Sequence, residues 1–133
     1  MIDGAAALAY HRSIMTTEAL KQRMSSYQSA YAPDVPLAER DRLVRQSVSD
    51  DVAFFTPMTD GRRIDNLIEH VGRFQHINPG KYFTSGDLVA HHGQLLSEWT
   101  LHDKDGAAVS SGHTYARFNE NGRLTHLIGF FAG

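Results

Sequence analysis

Two side chains able to move protons fall where a strand should hold them still. His126 alternates with Ile128 and Phe130, which places an ionisable ring on a potentially buried strand face. Asp87 lies inside a β-favouring run, where acids are uncommon, and is the second candidate base. Either one beside a tyrosine hydroxyl would make a base and hydrogen-bond donor pair, the minimum equipment for proton transfer on a polarised carbonyl. Tyr27 and Tyr31 are the candidate donors. A plainer role competes in each case: a histidine bonded within a core or interface, and an acid on a sheet rim.

Other titratable residues point away from metal chemistry. His91 and His92 adjoin in a turn, and consecutive strand residues face opposite ways, so they do not supply the convergent ligands of a metal site. They read as solvated turn residues, whereas His113 shares the ambiguity of His126. Asp60-Gly61 is ordinary turn chemistry that could sit at a pocket mouth. The absence of cysteine removes disulfides, thiolate nucleophiles and Cys-bound metal. No metal and no cofactor is called for.

Positioning these side chains takes helices first and strands second. Thr16-Thr17-Glu18 can cap a helix whose Leu20, Met24, Tyr27 and Tyr31 repeat at helical spacing until Pro33. Asp34 and Pro36 announce a second helix through Leu37, Leu43, Val44 and Val48, stopping at Ser49-Asp50-Asp51. Val52-Ala53-Phe54-Phe55-Thr56 is a short strand closed by Pro57, and Thr59-Asp60-Gly61 a polar loop. From Arg62 to Ile77 the positions of Ile64, Leu67, Ile68, Val71 and Phe74 give the strongest helical periodicity. After Asn78-Pro79-Gly80 the period changes to that of four strands, residues 82–90, 94–102, 108–118 and 123–131, joined by hairpin turns. Early helices and late strands imply an α+β layer arrangement over residues 16–133, preceded by an Ala-rich extension, residues 1–15, expected to be a mobile terminus.

Strand alternation predicts an inner face of Leu95, Ser97, Trp99 and Leu101, with Gly112, Thr114, Ala116 and Phe118 leaving room beside it. Tyr27, Tyr31, Phe54, Ser97, Trp99, Thr114 and Phe130 are the candidate pocket wall for a small apolar ligand. The last strand carries large apolar groups on both faces, so a homodimer through the back of the sheet is expected.

With 133 residues, 41% hydrophobic and 21% charged, the chain has the composition of one soluble domain. A net charge of −2 and no basic stripe argue against nucleic acid; Arg40, Arg42 and Arg45 read as decoration of a solvated face. The first ten residues carry an acid where a signal peptide needs a base, and the apolar run is too short to span a bilayer. A cytoplasmic protein without membrane contact is the expectation.

Several features together resemble the SnoaL-like branch of the nuclear transport factor 2 (NTF2-like) superfamily. They are the order of elements, the Tyr31 to Asp34 helix end, Ser49-Asp50-Asp51-Val52 with Pro57, His91-His92-Gly93 with Trp99, Ser111-Gly112, and Asn121-Gly122-Arg123-Leu124 with Gly129-Phe130-Phe131. The likeness covers residues 16–131. It implies a cone-shaped fold, three N-terminal helices packed on a curved, mainly antiparallel sheet, with a deep apolar pocket and frequent dimers. Members include polyketide cyclases, ketosteroid isomerases, limonene-epoxide hydrolases and dehydratases, so the fold alone does not give the function. The implied activity is a cofactor-independent isomerase, cyclase or dehydratase working by proton transfer on an apolar carbonyl compound. The alternative is a ligand-binding or interaction module without catalysis. Many relatives carry Gly-x-Asp where this chain has Gly112-His113-Thr114, and a hydroxyl cannot replace a carboxylate as base near neutral pH. Tyr31 stands where a tryptophan is common in such sequences.

Overall fold

The computed structural model describes residues 15–132. Within α1 (Thr17–Ser29), the Thr16 side chain accepts a hydrogen bond from the Ala19 amide, and Leu20, Met24 and Tyr27 turn inward. The helix ends before Pro33, and Ala30 and Tyr31 are buried in the turn that follows. Next comes α2 (Leu37–Ser47), then β1 (Val48–Thr56), β2 (Thr59–Arg62), α3 (Ile64–Ile77), β3 (Tyr82–His91), β4 (Gln94–His102), β5 (Ala108–Phe118) and β6 (Leu124–Phe131). Among the described residues the architecture is α+β, three helices against one six-stranded sheet.

Sheet order is β2-β1-β6-β5-β4-β3, antiparallel throughout except for the parallel β1–β6 pair. Register lines side chains into rows. Ala90, Leu95, Ala116, Leu127, Phe54 and Gly61 form one inner row crossing every strand. Beside it runs a row of small residues, Ser97, Thr114 and Gly129, and beyond that Trp99, Gly112 and Phe131. On this face α1 packs on β3, and α3 packs on β1 and β2. The middle strands therefore look into the space between two helices.

Four sequence expectations change. Val48 to Asp51 begin β1 instead of ending α2, with a register break between Val48 and Ala53 where the polar residues are accommodated. Thr59-Asp60-Gly61 is an edge strand, not a loop, and Gly61 pairs with Phe54. Leu37 is exposed and contributes nothing to the core. Arg40 is buried, not solvated: its guanidinium donates to the Ala30 and Val35 carbonyls, satisfying the chain end of α1. Arg42 and Arg45 do pair with acids in solvent, Glu39 for the first and Asp41 and Asp65 for the second. No helix among the described residues is long and apolar enough to cross a membrane. The expectation for the N-terminal extension falls almost entirely outside the described residues.

Candidate functional site

The space between α1, α3 and the middle strands is a cavity of about 280 Å³. That volume is at the small end of ligand pockets, which run from roughly 300 to 1,000 Å³. Its floor is Phe54, Leu127 and the small pair Thr114 and Gly129; its far wall is Phe83, Trp99 and Phe131. Trp99 meets Phe83 and Phe131 edge-on at centroid distances of 5.3 and 5.5 Å, so the three rings hold one another in place. The mouth lies between the β1–β2 turn, with Pro57 and Met58, and the end of α3, with Ile77 and Asn78.

Polar groups enter this apolar space from the helices. Tyr27 and Tyr31, one helical turn apart, share a hydrogen bond of 2.5 Å between their hydroxyls. Two hydroxyls carry two protons and one lies between the oxygens. The other has no acceptor among the described residues. Burial pushes the Tyr31 hydroxyl up to about 12, against a smaller lowering by Tyr27, and burial raises Tyr27 well above its usual value. Both therefore stay protonated and able to donate. Gln75, at the other side of Tyr31, donates to the Tyr31 and Lys81 carbonyls and accepts from the Gly80 amide, tying α1 to the start of β3.

On α3, His70 faces the cavity, packed against Tyr31 and Phe54 at centroid distances of 6.2 and 5.7 Å. Its pKa is lowered, first by burial and second by the charge of Arg73, so the imidazole is held neutral with a basic nitrogen. Gln28 is buried on α1 and accepts from the Ser85 hydroxyl, which leaves its amide N–H groups without a partner among the described residues. Among the described residues no aspartate or glutamate lines the cavity.

No protein-family model and no curated protein matches the sequence. Solved structures do match in fold. A candidate isomerase of the SnoaL-like family from Agrobacterium tumefaciens gives a TM-score of 0.77 at 22% identity, over 84% of this chain and 96% of that one. An NTF2-like protein of unknown function from Exiguobacterium gives 0.68 at 17% identity, over 83% and 98%. A candidate SnoaL-like polyketide cyclase from Jannaschia gives 0.67 at 10% identity, over 86% and 84%. The chain has the SnoaL-like, NTF2-like fold. At these identities the likeness carries the fold and not the chemistry.

Within this SnoaL-like fold the sequence candidates separate. Tyr27, Tyr31, Phe54, Trp99 and Thr114 line the cavity together. Ser97 shares their face but is packed beneath the surface, 1% exposed and outside the lining. Phe130 and His126 point the other way, because it is Leu127, Gly129 and Phe131 that face inward on β6; both are exposed. Asp87 is exposed in the bulge between Ser85 and Leu88 on β3. Neither expected base therefore reaches the cavity. Asp60 is exposed on β2, and His91 and His92 are exposed in their turn with Nδ1 atoms 3.0 Å apart. Sequence reasoning missed His70, although its position is readable: three residues after Leu67 and four before Phe74, it lies on the buried stripe of the most amphipathic helix.

Proposed function

We propose that this chain binds a small, largely apolar carbonyl compound in the cavity and moves a proton on it, as an isomerase, cyclase or dehydratase without a cofactor. His70 takes the proton next to the carbonyl, and the negative charge that develops on oxygen is met by the unshared hydroxyl proton of the Tyr27–Tyr31 pair. Returning the proton from His70 to a different atom of the substrate completes an isomerisation. What supports the reading is one observation: a neutral imidazole and a spare hydroxyl donor face the same apolar space. The donor resists ionisation, so it stabilises the oxyanion without being consumed by it.

A second reading, a binding module without catalysis, is favoured by the lining itself, which holds no carboxylate among the described residues and has Thr114 where the SnoaL-like resemblance implies an acid in many relatives. Hydrogen–deuterium exchange separates the two. Cyclohexanone incubated with the protein in D2O and followed by NMR should lose its α-protons faster than in buffer. His70→Gln should slow that exchange by about a hundredfold or more, the ordinary contribution of a positioned base. Cyclohexanone that binds but exchanges no faster than in buffer would leave only the binding module. We further propose that two copies associate through the outer sheet face, where Val89, Leu96 and Phe130 are exposed.

A further inference from the structure

The cavity reading above leaves the substrate's charge open, and the mouth supplies it. Arg73 lies one turn beyond His70 on α3, lines the mouth and is exposed. Among the described residues it pairs with no carboxylate within 4.0 Å, although Glu69 is four residues earlier on the same helix. On α2, by contrast, Arg42 and Arg45 are each matched to an acid, and Arg40 is spent on backbone carbonyls. Asn78 lines the same cavity, as do the exposed apolar side chains of Met58 and Ile77. Deeper in, apart from the His70 imidazole, the spare polar groups are again donors, from Gln28 and from the tyrosine pair.

Such a lining has a sign. Fixed donors and one guanidinium without a carboxylate partner, with no acid among the described residues of the wall, favour acceptors and negative charge. A carboxylate carried to the bottom of the cavity would lose its water among Phe54, Phe83 and Trp99 with too little in return. At the mouth it keeps water on one side and meets a planar guanidinium on the other. We infer that the substrate is a small organic acid: an apolar body seated against the aromatic wall, with a carboxylate at the mouth between Arg73 and Asn78. This rests on the cavity being the ligand site.

Isothermal titration calorimetry with hexanoate and its neutral counterpart hexan-1-ol tests the inference. Wild-type protein should bind hexanoate about tenfold more tightly than hexan-1-ol, the scale of one charge-assisted contact. Arg73→Gln should abolish that preference, bringing hexanoate affinity down to that of hexan-1-ol on the same variant; Arg73→Lys should keep part of it. Raising salt should weaken hexanoate and not hexan-1-ol. Equal or weaker binding of hexanoate by the wild type, or a preference that survives Arg73→Gln, would overturn the carboxylate assignment while leaving the apolar site intact. Binding of neither probe would overturn the cavity reading, and this inference with it.

Discussion

His70 makes a prediction about pH whose sign is fixed by its surroundings. Packed against Tyr31 and Phe54 and near Arg73, the imidazole is harder to protonate in the folded chain than its ordinary value of 6.5. Between the lowered value and 6.5 the unfolded chain binds more protons, so this residue's contribution is complete above 6.5 and is lost as pH falls through the folded value. Urea unfolding at about pH 7.5 and about pH 5 should show a larger loss for wild type than for His70→Leu, since all other titrating groups cancel in the comparison. Equal losses would mean that His70 is solvated. At this scale the sequence was legible where a residue's chemistry agreed with its periodicity, as for Tyr27 and Tyr31. It misled for His126, because alternation divides a strand into two faces without saying which is inner. Large apolar groups on both faces of β6 removed the usual signal. The missing information is pairing: Gly129 opposite Thr114 and Leu127 opposite Ala116 set which face the cavity takes.

Elements hold the cavity open by a repeated device, an aromatic ring laid over a glycine on the neighbouring strand. Trp99 on β4 covers Gly112 on β5, and Phe54 on β1 covers Gly61 on β2. A methyl group at Gly112 would overlap both the Trp99 ring and the Phe130 carbonyl oxygen, one a wall of the cavity and the other the backbone of β6. Gly112→Ala should therefore destabilise the protein by about 1–3 kcal/mol through overpacking. It should also shift the fluorescence of Trp99, the chain's only tryptophan, and weaken hexan-1-ol binding. An unchanged urea midpoint with unchanged emission would refute this account of the wall. Most elements were readable from periodicity and turn residues; β2 was not, since Thr59 to Arg62 has no apolar alternation to reveal a polar edge strand. The start of β1 was obscured in the same way by Ser49-Asp50-Asp51, which resemble a helix stop and here lie in a strand before its regular pairing begins.

For the whole molecule, the two faces of the sheet do different work. The inner face is divided between core and cavity, and no helix among the described residues packs on the outer one. There a second row, Val89, Leu96, Tyr115, Ile128 and Phe55, crosses five of the six strands. Val89 is 65% exposed, Leu96 42% and Phe55 37%, and Phe130 beside the row is 55% exposed. Apolar side chains aligned across a sheet, unlike scattered ones, offer a continuous surface that a second copy can match by two-fold symmetry. Size-exclusion chromatography with light scattering at micromolar concentration should give twice the 14.8 kDa mass of the chain. Leu96→Glu places two buried charges near the centre of such an interface, one from each copy, and should give the monomer mass. Leu96 is outside the cavity lining, so the monomer should still bind hexan-1-ol. A wild-type monomer would rule out the association, and a Leu96→Glu dimer would place the contact on another surface. A monomer that lost the probe would instead show that the outer face supports the cavity wall through the sheet, coupling assembly to the site.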